Sequence, residues 1–241
     1  MIGCDCDVCR STDPRDTRFR TSIYVTFDDG PRVLVDTTPD LRSQALRHDL
    51  RRVDAILITH AHADHIMGLD EVRRFNMLNG GRPMPIHGSP ETLDVLRQIF
   101  GYAFDPDARR GGGVPAIDLV PIAGPFTIQG REVVPVPIQH GPWTILGFRF
   151  GKFAYLTDCS AIPDASMGLL EGVDVVVLDA LRRRPHPTHL TLDAAVVLAR
   201  RVGARKTYFT HMAHDLGHAA TSSELPPGVA LAYDGLALDI D

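Results

Sequence analysis

The segment THAHADH, residues 59–65, follows directly on the apolar run AILI. It places His60, His62, Asp64 and His65, four ligand-type side chains, within six positions at the end of a buried strand. On extended backbone, residues two apart share a face, so His60 and His62 can grip one cation. The chain then turns into a helix beginning near His65, which aims Asp64 and His65 at a neighbouring cation. Chance surface histidines do not cluster in this way after an apolar strand.

Three later apolar runs end in the same fashion. VPIQH stops at His140, AYLTD at Asp158 and TYFTH at His211. Each strand delivers one imidazole or carboxylate at its C-terminal end. Together they complete two sites, with His60, His62 and His140 on one ion and Asp64, His65 and His211 on the other. Asp158 bridges the pair.

The N-terminus carries a second cluster. Cys4, Cys6 and Cys9 stand in a CxCxxC pattern, and Cys159 is the only other cysteine. An odd cluster is a poor disulfide framework, whereas this spacing can aim three thiolates at one soft ion. The fourth ligand must come from elsewhere in the chain.

Composition limits the rest. The chain has 241 residues, 44% hydrophobic and 23% charged, with a net charge of −5. These values fit a globular protein and argue against a general nucleic-acid binder, which shows a basic face. No apolar run is long enough for a membrane span, and no export signal opens the chain. Few cysteines, clustered as ligands, fit a cytoplasmic location.

Short strands alternate with helical patterns. SIYVTF and RVLVD read as a hairpin turned at DDGP. DLRSQALRHD, SPETLDVLRQIF and TLDAAVVLARRVG read as helices, the second capped by Ser89 and the third ending at Gly203. DPDARRGGGVP reads as a mobile loop. No linker interrupts the pattern, so an α/β layered architecture in a single domain, 1–241, is expected, with the cysteine segment at 1–20.

With these residues in place, the chain from about residue 20 onward resembles the metallo-β-lactamase-fold hydrolases. The resemblance implies an αβ/βα four-layer sandwich with a dinuclear site at one edge. VLVDTTPD resembles the family's first motif and implies that Asp36 orients the metal-binding loop from behind the ligands. The full HxHxDH set with a bridging aspartate suits phosphodiesterases, ribonucleases and glyoxalase II-like thioesterases better than true β-lactamases.

Within that superfamily, CxCxxC followed by RSTDPRDTRFRTS resembles the PhnP group of phosphoribosyl cyclic phosphodiesterases. The resemblance implies a structural zinc held by Cys4, Cys6, Cys9 and a late histidine. His214 is the candidate, with His218 close by. It also implies two active-site divalent ions, zinc or manganese, and points to His189 as general acid or phosphate contact, with His186 the less favoured neighbour. A homodimer is a further expectation. Relatives usually begin with a strand and a glycine-rich loop before the first cysteine; here the sequence opens at MIG, so those elements either lie upstream of this start or are absent.

The expected function is hydrolysis of a small cyclic or nucleotide-like phosphodiester by a hydroxide bridging two metals about 3.5–4 Å apart. Catalysis falls to Asp64, Asp158 and His189. Arg182, Arg183 and Arg184 either attract a phosphorylated substrate or form a solvated face. Alternatives are a tRNA 3′-processing nuclease of the tRNase Z kind, a glyoxalase II-like thioesterase, and a non-catalytic metal-binding module. Cys159, His48 and His87 are assigned to structure.

Overall fold

The computed structural model describes residues 1–105 and 113–240. Most of the stretch read as a mobile loop, residues 106–112, lies outside the described residues. The chain divides into two compact units, one formed by Arg20–Val133 and the other by Met1–Phe19 with Val134–Asp241.

The unit formed by Arg20–Val133 is built on a five-stranded sheet in sequence order. It runs β1 (Ile23–Thr26), β2 (Arg32–Val35), α1 (Leu41–Arg47), β3 (Ala55–Leu57), α2 (Ala63–Ile66), α3 (Val72–Leu78), β4 (Met84–Gly88), α4 (Pro90–Ile99), α5 (Gly101–Phe104) and β5 (Ile117–Pro121). β1 and β2 form an antiparallel hairpin, and β2 to β5 are parallel. Parallel strands covered by helices read as continuous apolar runs, as AILI does. Their side chains join those of the helices in a core of Leu34, Ile56, Ile58, Ile66, Leu69, Ile86 and Leu93. Ser89 accepts from the Thr92 N–H and Pro90 opens α4, the capping chemistry read from the sequence. β6 (Phe126–Ile128) pairs with the first residues of β7 (Arg131–His140).

From Val134 the second unit continues along β7 into β8 (Trp143–Phe150), β9 (Phe153–Leu156), α6 (Asp164–Met167), β10 (Val175–Asp179), α7 (Leu192–Val202), β11 (Lys206–Thr210), α8 (His218–Ser222) and β12 (Val229–Leu231). β7, β8 and β9 form an antiparallel meander, and β9 to β12 are parallel. All five residues of β10 are buried, and the core gathers Ile138, Leu156, Val176, Leu178, Leu198 and Phe209. Thr191 caps α7 and Gly203, at φ 74°, ends it.

Residues 1–19 belong to this second unit through specific bonds. The Arg18 guanidinium donates to the carbonyls of Ala213 and Leu216, the Phe19 N–H to Asp234, and the His218 N–H to Asp16. No helix among the described residues is long and apolar enough to cross a membrane.

Candidate metal centre

In the first unit, β2 ends at Val35 and the chain bends at once. Asp36 adopts φ 65°, a left-handed conformation that costs a non-glycine residue about 1–2 kcal/mol. The bend turns its wholly buried carboxylate back under the end of β3. Oδ1 accepts the Thr59 N–H at 2.8 Å, and Oδ2 lies 2.8 Å from His65 Nδ1. The Thr59 hydroxyl donates to the same carboxylate, 2.9 Å from Oδ2, and its oxygen stands 3.0 Å from His60 Nδ1. A hydroxyl has one proton. Since Thr59 spends it on Asp36, His60 Nδ1 is the donor toward Thr59. Both histidines thus carry their protons on Nδ1 and their lone pairs on Nε2. Burial pushes the Asp36 carboxyl upward, and the His65 imidazole and the Thr59 donors pull against it.

The HxHxDH segment is docked as well as oriented. The Thr37 N–H donates to the His65 carbonyl and the Gly68 N–H to the Thr37 carbonyl. A Cβ at Gly68 would stand 1.9 Å from the Thr38 carbonyl oxygen, so only glycine permits this approach. α2 starts at Ala63 with His62 as its N-terminal flanking residue. This is two residues earlier than the start near His65 expected from sequence, because the strand gives way as soon as Asp36 and Thr59 have fixed its end. The His60 ring lies 4.5 Å from that of His62 and 4.3 Å from that of His65. Asp64 Oδ2 is 3.9 Å from His65 Nε2 and 3.6 Å from the Arg20 guanidinium.

The second unit gathers its own set at the ends of β7, β9, β10 and β11. His140 ends β7, and its Nδ1 donates to the Thr188 carbonyl at 2.9 Å, again leaving the lone pair on Nε2. Asp158, at φ 56°, and His211, at φ 60°, repeat the left-handed bend of Asp36. Asp158 Oδ1 lies 3.4 Å from His211 Nε2 and 3.9 Å from His189 Nε2. One donor atom each from His140, Asp158 and His189 falls within a 4.8 Å circle. The His189 and His211 rings are stacked 4.8 Å apart.

Asp179 was missed by sequence reasoning. It ends β10, is fully buried, and faces His189 Nδ1 with Oδ1 at 3.1 Å while Oδ2 accepts the Leu190 N–H. Oδ1 is also 3.5 Å from His211 Nδ1. Burial pushes its carboxyl upward, and the His189 hydrogen bond pulls it back. The signal that could have found it is the one that marked Asp158: an acid closing an apolar run, here VVVLD.

Cys4, Cys6, Cys9 and His214 form a separate group whose donor atoms all lie within 4.8 Å of one another. His214 Nδ1 is 3.4 Å from Cys4 Sγ and 3.3 Å from Cys6 Sγ. Tetrahedral zinc with ordinary Zn–S and Zn–N bonds needs S···N edges of about 3.6 Å, so the group is close to the size required. The Cys9 N–H and then the His214 ring lower the Cys6 thiol to about 6, which favours thiolate. His218, the neighbouring candidate, is turned away and packs edge-on against Tyr233.

The remaining candidates make local contacts. Arg182 donates to the carbonyls of Arg184 and Pro185, and Arg183 pairs with Glu224. Two of the three arginines therefore brace their own surroundings. His186 lies with its ring 4.9 Å from that of His189. His87 stacks on Phe126, His48 closes α1, and Cys159 is fully buried with its thiol pushed up by desolvation.

The profile of the Beta-lactamase superfamily domain matches residues 31–212. A crystal structure described as a new diphosphatase from the PhnP family is 47% identical, with a TM-score of 0.91 over all of this chain and 92% of that one. An octanoyltransferase of Porphyromonas gingivalis is 34% identical across the whole chain, which spans only 49% of that relative. A ribonuclease Z of Bradyrhizobium diazoefficiens is 30% identical over 73% of this chain and 59% of its own length. The chain thus spans about half the length of the curated relatives it matches.

Proposed function

Since this chain belongs to the β-lactamase superfamily and is a PhnP-like hydrolase of the metallo-β-lactamase fold, we propose that it cleaves phosphodiester bonds at a dinuclear metal centre. His60, His62 and His140 would hold one divalent cation, Asp64, His65 and His211 a second, with Asp158 shared. The observation that carries this reading is the common tautomer. His60, His65 and His140 each commit Nδ1 to an oxygen, from Thr59, Asp36 and Thr188, and each keeps its basic nitrogen on Nε2. Such second contacts are how metal-binding imidazoles are held. Zinc and manganese both suit this donor set. When bound, the two cations would activate water near neutral pH and offset charge on the phosphoryl oxygens.

The chain's own residues supply the proton for departure. Asp179 fixes His189 with its proton on Nδ1, and a carboxylate behind an imidazole stabilises the doubly protonated ring. His189 Nε2–H then gives its proton to the leaving oxygen as the phosphorus–oxygen bond breaks. The proton released by the attacking water recharges the imidazole. Cys4, Cys6, Cys9 and His214 would hold a structural zinc, and four protein ligands would leave it no catalytic part. A reducing, cytoplasmic setting suits the three thiolates.

The PhnP-family relative is described as a diphosphatase, which supports a second bond class, the diphosphate linkage, at the same centre. A substrate panel tests the reading: bis-p-nitrophenyl phosphate, ribose cyclic phosphate, a nucleoside cyclic phosphate, a dinucleotide diphosphate, pre-tRNA and a thioester. Turnover of small phosphodiesters or diphosphates above the rest is expected. Cleavage of the thioester alone would overturn it, and preference for pre-tRNA would move the protein to the nuclease class.

A further inference from the structure

Trp143 is the sole tryptophan of the chain and is 55% exposed. An exposed aromatic is by itself an ordinary surface feature. The turn that carries this one is not. His140 and Trp143 are directly paired across the β7–β8 hairpin, so their side chains share one face. Their ring centroids are 6.0 Å apart. The two residues between them are Gly141, at φ 59°, and Pro142, whose ring fixes φ near −65°. That order suits the tight hairpin turns whose twist matches the flanking strands.

The turn is also locked onto the segment that carries His189. A Cβ at Gly141 would meet the Thr188 methyl at 2.7 Å and the Pro187 carbonyl at 3.3 Å. The Gly141 N–H donates to Ser160 Oγ, which donates in turn to the Gln139 carbonyl. His140 Nδ1 reaches the Thr188 carbonyl, and the His140 and His189 rings stand 4.8 Å apart. Trp143 is thus linked to His189 through its strand pairing with His140 and the short contacts of Gly141 and His140 to residues 187–188. A large planar side chain is held at a set distance from the proton donor, with more than half its surface facing solvent.

We propose that Trp143 is a stacking platform for the nucleobase of a nucleotide-like phosphodiester. This rests on the reading of His189 and the metal centre as a phosphodiesterase site, and it selects the nucleotide-like class over simple sugar phosphates. With the phosphoryl group near His189, a ribose is the natural spacer to a ring beside His140. Stacking tolerates any base, since each has a π-face. Trp143 is therefore a specificity residue that binds and orients, with no part in proton transfer.

The test uses the metal-loaded full chain and two readouts. Adenosine 5′-monophosphate should quench the Trp143 fluorescence saturably, whereas ribose 5-phosphate should leave it unchanged. In turnover, Trp143→Ala should raise KM for adenosine 2′,3′-cyclic phosphate about tenfold, within the range of one base–aromatic stack, with kcat little changed. Trp143→Phe should recover most of the loss, and kcat/KM for ribose cyclic phosphate should be the same in all three proteins. Equal responses to the nucleotide and the sugar phosphate, in fluorescence or in KM, would overturn the platform. If the wild-type enzyme cleaves neither diester, the phosphodiesterase reading fails, while the fluorescence comparison still decides the stacking.

Discussion

Asp179 Oδ1 lies 3.1 Å from His189 Nδ1, and the same oxygen is 3.5 Å from His211 Nδ1. One buried carboxylate at the end of β10 therefore stands behind two neighbouring imidazoles. The arrangement mirrors Asp36 in the other unit, which reaches His65 directly and His60 through the Thr59 hydroxyl.

Removing the His189 ring should matter in proportion to the leaving group. His189→Ala is expected to lower kcat on a ribose alkoxide leaving group by about 10²–10⁴-fold, and on p-nitrophenolate far less, because that group departs without a proton. Asp179→Asn should show the same selectivity, and the double variant should be scarcely worse than either single one on the alkoxide. Equal losses on both leaving groups would reassign His189 to phosphate contact or to structure.

Asp36→Asn keeps the shape of the side chain but can no longer accept from both Thr59 and His65 as a carboxylate. Active-site metal affinity should fall about 10–100-fold, as is usual when the group behind a metal-binding histidine is lost. Thr59→Val should cost less, since it releases His60 while His65 keeps its bond. Calorimetric titration with zinc ranks the three proteins, and an unchanged dissociation constant for Asp36→Asn would contradict the role.

The cysteine group makes a separate prediction. Cys6→Ser should lose one zinc equivalent and lower the melting temperature, while the active-site metals stay bound. Activity should fall moderately rather than vanish. His214 lies three residues beyond His211, and Arg18 ties the intervening loop to the N-terminal segment through the Ala213 carbonyl. Elemental analysis decides: an unchanged zinc count in the variant would sink the assignment.

Much of this was legible in the sequence because strand ends are legible. An apolar run closed by His or Asp gave His60, His140, Asp158 and His211 before any contact was known. Asp179 obeys the same rule and was passed over because VVVLD read as core, which its first four residues are. The left-handed bends at Asp36, Asp158 and His211 could not be placed from sequence, since aspartate and histidine are only enriched at positive φ and most of them stay at negative φ. Nor could spacing decide between His214 and His218; the structure separates them, with His214 Nδ1 beside Cys4 and Cys6 and His218 packed on Tyr233. The arginine run left two readings open for a similar reason. Whether a guanidinium faces solvent or its own loop carbonyls depends on the path of residues 182–185, which charge alone does not specify.

The central claim is that hydrolysis depends on two metals shared among the histidine and aspartate ligands. Its most direct test is to strip the protein of metal and titrate zinc or manganese back while following bis-p-nitrophenyl phosphate. Activity should be absent in the stripped protein and return with two equivalents bound beyond the cysteine site. His62→Ala and Asp64→Ala should stay folded, each with a weakened metal and little turnover at any metal level. A stripped protein as fast as the reconstituted one would contradict the account.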